Sequence, residues 1–486
     1  MFMRKIIYCI LIALSTVSCN EWLDVQPDAT VSEKELFKTQ DGFFEAVNGV
    51  YTRCAQADLY GGEFTVGFPD VMAQSYTNNI ADYTRYTKTS IFDFTDTDFK
   101  KRKDAAWTAA YSAITNCNLI LKNVDIQKSV FEKGNYEVVK GEALALRAYI
   151  HLDMLRLFGN TYYAGKNQPA IPYVTAYSNK VTQLSTTEEI LTKVIEDLNE
   201  AKTLLVDKDP IVLAKYKVGY PDDTEATETT GKLFLQNRRH RLNYYAVCGA
   251  LARAYLCKGD QINALSNALI VINSAKFPWT KVEDFLQSDP KLKDRIMYNE
   301  LVFGWYAQAQ KTAILNRFTS TVSGQYISYD AARSLYEVAS AGAEDYRFKA
   351  WFTQIATNYQ IQKYLREDKD ADNLHYLMMP GIRLSEMYYI AAEASYATNP
   401  AKAWEYLNTV RLHRGIGVQL PLNSSTDFST ELLKEYSKEM FAEGQVFYQY
   451  KRLNKNIVSQ SNIIYNAGSA IYVVPLPDSE IEFSNR

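Results

Sequence analysis

The sequence predicts a mainly α protein: a scaffold of tetratricopeptide-like helical pairs, carrying long irregular loops and a few short strands. Two stretches predict the pairs. Residues 244–274 read YYAVCGALARAYLCKGDQINALSNALIVINS. Ala250, Leu251, Ala254 and Tyr255 give one apolar face at helical spacing, and Ala264, Leu265, Ala268, Val271 and Ile272 give a second. Gly259-Asp260 lies between them, a left-handed C-terminal position followed by an N-terminal cap. The second stretch repeats the design: Leu384, Met387, Tyr388, Ala391, Ala392 and Ala394, a break at Asn399-Pro400, then Ala403, Leu407 and Val410. Small residues at such crossings let helices approach closely, and a unit of this kind needs stacked neighbours to bury its face.

The chain begins with Arg4-Lys5 and an apolar run from Ile6 to Val17, too short to span a bilayer. Val17-Ser18-Cys19 follows, so residues 1–18 read as a lipoprotein signal with Cys19 as the lipidated residue. Residues 19–235 and 236–486 are the two halves of one compact body. Without Arg4 and Lys5 the chain has 51 basic and 56 acidic residues, a net −5 with no basic block, which excludes nucleic-acid binding. Cys54, Cys117, Cys248 and Cys257 form no C-x-x-C pair, and sequence assigns them no disulfide.

Helices are expected at 39–51, where Phe43, Val47 and Val50 align; at 103–124, around Trp107, Ala110, Ile114 and Leu121; at 136–158, around Ala145, Ala148, Leu152 and Leu155; and at 187–205, around Ile190, Val194 and Leu198. Residues 58–98 interrupt the pattern with Gly61-Gly62, Phe68-Pro69, Asn78-Asn79 and repeated tyrosines, and read as a long functional loop. Residues 300–306 are the clearest strand. Residues 321–381 read as irregular, apart from a short helix near 330–336. Residues 431–450 read as one last long helix, and the C-terminus as extended.

No catalytic motif stands out. The four histidines fall in no zinc pattern, and no G-x-S-x-G elbow or phosphate loop occurs. Asp368, Asp370 and Asp372 mimic the start of a calcium loop, but Asn373 replaces its glycine and Met379 its closing glutamate. No carboxylate pair for glycoside hydrolysis is singled out. Hence no catalytic residue, metal or cofactor is expected. Arg411, Arg414, Arg452, Glu439 and Glu443 read as salt bridges tying packed helices together.

Tyrosine is plentiful, with 36 in 486 residues beside 22 Phe and 6 Trp. A flat apolar face with a polar tip suits interfaces and ligand stacking. Tyr76, Asn78, Asn79, Tyr83 and Tyr86 in the long loop, with Trp305 and Tyr306 on the strand, are therefore the aromatic and amide residues to watch for a ligand.

Several motifs run in a telling order: Cys19 with WLDV at 22–25, CNLIL at 117–121, GEALALRAYIHLDMLRLFG at 141–159, ALARAYLCKGD at 250–260, RLSEMYYIAAEA at 383–394, LNTVRLHRG at 407–415, EMFAEGQVFYQYKRL at 439–453 and VPLPDSEI at 474–481. With them the chain resembles the SusD/RagB-like outer-membrane lipoproteins of Bacteroidetes nutrient uptake. The resemblance implies four tetratricopeptide-like pairs and a lipid-anchored, surface-facing position in the outer membrane. It implies a non-catalytic glycan-binding role, delivering oligosaccharide or polysaccharide to a SusC-like TonB-dependent transporter; since aromatic faces flanked by amides suit the C–H faces of sugars, Tyr76, Asn78, Asn79, Tyr83, Tyr86, Trp305 and Tyr306 are then the glycan-binding candidates. A repeat scaffold that binds peptide or protein partners is the alternative.

Overall fold

Gly259 ends a helix at φ +80°, Asp260 caps the next through the backbone N–H of Asn263, and the pair closes on itself as the sequence predicts. The computed structural model describes residues 32–77, 82–289, 292–320, 324–365, 377–420 and 427–484. The signal segment, Cys19, Asn78, Asn79 and the triplet Asp368, Asp370, Asp372 lie outside them.

Eight helices form the scaffold: α1 (Gln40–Cys54), α2 (Thr97–Val124), α3 (Asn135–Phe158), α4 (Thr187–Leu205), α5 (Tyr244–Lys258), α6 (Gln261–Asn273), α7 (Leu384–Tyr396) and α8 (Pro400–His413). Each packs on the next in chain order, giving four successive pairs. Their starts are written locally. Thr186 and Glu189 make a reciprocal capping box at α4, Asn243 accepts two backbone N–H groups at α5, and Asn399 caps α8 ahead of Pro400.

Helix α3 is buried on every side from Gly141 to Phe158, as expected of a helix at the centre of a fold. Its polar residues are paired accordingly. Arg147 grips Asp197 of α4 through Nε at 2.8 Å and Nη2 at 2.7 Å. His151 has Nδ1 2.8 Å from the Arg147 carbonyl and accepts the Val174 N–H at Nε2, 3.1 Å away.

Between α6 and α7 the chain leaves the scaffold. There strand β3 (Leu301–Tyr306) pairs antiparallel with β7 (Met378–Arg383), and β4 (Tyr326–Ser328), β5 (Phe352–Ile355) and β6 (Asn358–Ile361) form a sheet with β6 central; earlier, between α3 and α4, β1 (Pro169–Pro172) pairs with β2 (Leu184–Thr186). Cys54, Cys117, Cys248 and Cys257 are free thiols, the first three buried.

Four expectations need correcting. The C-terminus, read as extended, carries helices at Ser469–Tyr472 and Asp478–Ser484 on either side of Pro475 and Pro477. The 58–98 segment carries short helices at Glu63–Val66, Phe68–Met72 and Thr87–Ser90, and residues 59–73 are all buried. Gly61 and Gly62 let it fold against the Ala55 and Ala57 carbonyls, where a Cβ would lie 1.9 and 2.2 Å from oxygen. Residues 321–381 include the three-stranded sheet, β7, and helices at Tyr329–Leu335 and Tyr346–Trp351. The 431–450 helix is two, α9 (Phe428–Glu439) and α10 (Val446–Arg452). Between them Ala442 and Gly444 take φ +58° and +68°, while Lys363 and the Tyr364 hydroxyl hold the Phe441 and Ala442 carbonyls, each at 2.8 Å. An amphipathic pattern continued across the turn, but the carbonyls found partners outside the helix.

Candidate functional site

Along β3, Leu301 to Trp305 are buried and Tyr306, the last residue of the strand, is exposed. Trp305 is 1% exposed and stacks on Tyr60 at 4.3 Å with an 8° interplanar angle. Phe303 meets it edge-on at 4.7 Å. Tyr306 is 44% exposed and lies parallel to the His240 imidazole, centroids 5.6 Å apart at 8°. Both residues line a cleft of about 880 Å³, a size that suits an oligosaccharide or other small ligand.

The second wall is α1. Asp41, Glu45, Asn48 and Thr52 recur at intervals of three and four, so they share one helical face and line the cleft together. Phe44 and Tyr51 flank them, and Phe44 stacks on Phe234 at 3.8 Å.

The third wall is the segment 232–241, fixed from behind. Asn237 turns the chain at φ +48°, a conformation asparagine tolerates. Arg238 is then buried against Asp209, at 2.8 and 3.0 Å, and Glu142, at 2.6 Å. Arg239 is buried against Glu228, with Nε 2.9 Å from Oε1. His240 and Arg241 are left facing the cleft. Arg241 donates to Glu142 and Asn48, its guanidinium 4.6 Å from the Phe234 ring centre. Burial, helped by the charges of Arg239 and Arg241, lowers the His240 pKa to about 3, so the imidazole is neutral. Its Nε2 and the Trp305 Nε1 are buried without a hydrogen-bond partner among the described residues. The site is therefore an exposed aromatic platform on a rigid backing, ringed by amides and carboxylates.

The other sequence candidates fall elsewhere. Tyr76 is 6% exposed and its hydroxyl donates to Asp70 at 3.1 Å. Tyr86 is equally buried; it donates to Glu63 at 2.7 Å, accepts from Arg317 at 2.9 Å, and lies under Arg102 at 4.0 Å. Both rings hold the loop down. Tyr83 is 63% exposed. A second cleft of about 450 Å³ is lined by Gln74, Ser75, Asp330, Ser334, Gln460 and Asn462 among others, with the half-buried Tyr450 its one aromatic residue. The sequence reading singled out neither α1 nor 237–241 as cleft walls. A polar stripe on an otherwise core-facing helix was the available signal for the first, and Asn237-Arg238-Arg239-His240-Arg241 for the second.

The charged set near the C-terminus is structural, as expected. Arg411 pairs with Glu435 at 2.7 Å, Arg414 with Glu300 at 2.6 Å and Glu439 at 2.7 Å, and Glu443 with Lys363 at 2.5 Å, all buried. Arg452 pairs separately with Glu393 of α7.

Known proteins place this architecture. Residues 21–216 match a family model described as starch-binding associating with outer membrane, and residues 278–485 match the SusD family model. A crystal structure of a SusD superfamily protein from Bacteroides thetaiotaomicron superposes with a TM-score of 0.73 at 20% identity, over 92% of this chain and 98% of that one. A SusD-like carbohydrate binding protein from Bacteroides vulgatus gives 0.70 at 18% identity, over 92% and 96%. SusD-like protein P25 of Formosa agariphila is 23% identical over 213 residues, which span 42% of this chain and only 38% of that relative. Two models of related description in series, and one fold shared along nearly the whole chain, identify it as a SusD/RagB-like protein.

Proposed function

We propose that this protein is a non-catalytic surface lipoprotein that captures glycan in the Tyr306 cleft and hands it to a SusC-like TonB-dependent transporter. The observation that carries the reading is the exposed Tyr306 ring, stacked on neutral His240 in an open cleft flanked by Asn48, Gln236 and Asn237. An aromatic face packs on the C–H face of a pyranose, and neighbouring amides hydrogen-bond its hydroxyls. The names of the relatives, carbohydrate binding and starch-binding, support the ligand class. Tyr83, 63% exposed, is a second contact in this reading. Cys19 carries the lipid that holds the body on the outer membrane, facing outward.

The test is calorimetry and affinity electrophoresis of the unlipidated body, residues 20–486, against plant and host polysaccharides. Binding that drops about tenfold in Tyr306→Ala supports the cleft. Absence of binding across the panel, or binding indifferent to Tyr306, overturns it. Co-purification of a TonB-dependent transporter from the native membrane tests the delivery step.

A further inference from the structure

Charge does not balance where α3, α5, α7, α9 and α10 meet. Three arginines there are each matched to a carboxylate. Arg156 of α3 donates to Asp153, with Nε 3.1 Å from Oδ1. Arg253 of α5 holds Glu386 of α7 at 2.8 and 2.7 Å. Arg452 of α10 pairs with Glu393 of α7. Lys451, buried beside Arg452, is a fourth cation, and its ammonium meets carbonyls instead of a carboxylate. It donates to Arg156 and Gly159 at 2.7 Å and to Leu157 at 3.3 Å, at the end of α3. Burial, with the charge of Arg156 nearby, lowers its pKa to about 7. The neighbouring Cys257 thiol is held neutral by burial, which raises its pKa.

Two cavities open on this cluster and share Arg156, Cys257, Tyr448 and Arg452 in their walls. The larger, about 40 Å³, is also lined by Lys451; the smaller, about 10 Å³, by Arg253, Glu386, Gln449 and Tyr436. The smaller has room for one occupant of about the size of water. Tyr436 is 1% exposed, and its hydroxyl has no hydrogen-bond partner among the described residues. A buried hydroxyl in that state is costly. Arg156 uses three of its five N–H groups, on Asp153 and Gln445. Neither cavity shares a lining residue with the Tyr306 cleft.

We propose that the smaller cavity binds one monovalent anion of the halide class, held by the Tyr436 hydroxyl among the guanidinium groups of Arg156, Arg253 and Arg452. Water satisfies the hydroxyl but leaves the surplus charge of Lys451; a halide answers both. Sulfate and phosphate exceed the room and the single surplus charge.

The experiment is thermal unfolding of the purified full-length chain near pH 6, below the Lys451 pKa of about 7, where the ammonium is charged. Chloride replaces gluconate, an anion too large for the cavity, up to about 0.2 M at constant ionic strength, so that screening stays fixed. Tm is expected to rise by about 1–2 °C and then to saturate, as binding at one site of the folded state requires. The rise shrinks as pH passes 7 and Lys451 loses its proton. Tyr436→Phe keeps the ring and is expected to need about tenfold more chloride for half the rise. Lys451→Met removes the surplus charge and abolishes the rise. A crystal grown in sodium bromide is expected to show one anomalous-scattering peak beside the Tyr436 hydroxyl. Equal Tm in chloride and gluconate overturns the site, as does bromide found only at the surface. A rise that Tyr436→Phe leaves intact marks an adventitious ion only, and also overturns it.

Discussion

Arg414 holds Glu439 by two hydrogen bonds, Nε to Oε2 at 2.9 Å and Nη2 to Oε1 at 2.7 Å, and neither side chain has any solvent exposure. Glu439 also receives Arg347 of the Tyr346–Trp351 helix at 2.9 Å and Arg383 of β7. One carboxylate thus joins α9, the end of α8, a strand and a loop helix. Three guanidinium groups hold its pKa well below the usual carboxylate range, against the burial that opposes them. Glu439→Gln leaves buried cations short of charge and is expected to cost about 3–5 kcal/mol, because breaking a buried pair costs far more than a surface pair is worth. Denaturant unfolding measures the loss directly.

Gly444 makes a second, purely steric prediction. It takes φ +68°, its N–H donates to buried Asp70 at 3.1 Å, and a Cβ would lie 1.8 Å from the Phe64 carbonyl oxygen. Gly444→Ala is expected to destabilise by roughly 2–4 kcal/mol. Gly417 is exposed, and a Cβ there meets nothing within 4 Å. Gly417→Ala is expected to stay within about 0.5 kcal/mol of the parent in the same unfolding assay. Equal effects at the two sites contradict the account of the α9–α10 turn.

The same turn shows what was legible in the sequence. The pairs at 244–274 and 384–410 were, because a face repeating at three and four residues, with its caps beside it, is local information, whereas the count of four pairs came only with the family resemblance. The break inside 431–450 was not, because what stops the helix is Lys363 and Tyr364 taking its carbonyls from another part of the chain. The cleft divides the same way. Trp305 and Tyr306 stand together as aromatic neighbours, but β3 is buried up to Trp305 and exposed only at its last residue, Tyr306, which the run of apolar residues did not reveal. His240 stood alone in the sequence, and gains its role from Tyr306 stacking on it across the fold. Tyr76 and Tyr86 carry the composition of a sugar site, yet buried Asp70 and Glu63 capture their hydroxyls.

Trp305 and Tyr306 give the third prediction, a separation of stability from binding in adjacent residues. Trp305→Ala empties a space between Tyr60, Phe303 and Tyr149 and is expected to cost about 3–5 kcal/mol. Tyr306→Ala removes a ring 44% exposed and is expected to change stability by under about 1 kcal/mol. Glycan affinity, measured by calorimetry on folded protein, moves the other way and falls about tenfold in Tyr306→Ala. A Tyr306 variant that unfolds like the Trp305 variant places the ring in the core.

His151 predicts a pH dependence. Its imidazole is buried in α3, where Nδ1–H donates to the Arg147 carbonyl and Nε2 accepts the Val174 N–H. A protonated ring has no lone pair left for that N–H, and burial lowers the pKa to about 3. In the unfolded chain the ring titrates near its ordinary value of about 6.5. Between these values the unfolded state binds a proton that the folded state refuses, so acidification favours unfolding. The contribution of His151 is therefore complete above about pH 6.5 and is lost progressively as pH falls toward 3, at up to ~1.4 kcal/mol per pH unit. Carboxylates of ordinary pKa contribute mainly below about pH 5, which leaves pH 5–6.5 as the window where histidine dominates. Unfolding free energies measured across that window are expected to fall with pH in the parent and to fall less steeply in His151→Gln, whose amide can donate to one backbone group and accept from the other, the remaining slope coming from His240 and His413, whose pKa values burial lowers to about 3 and about 4. A slope unchanged in the variant means that another group carries the acid sensitivity.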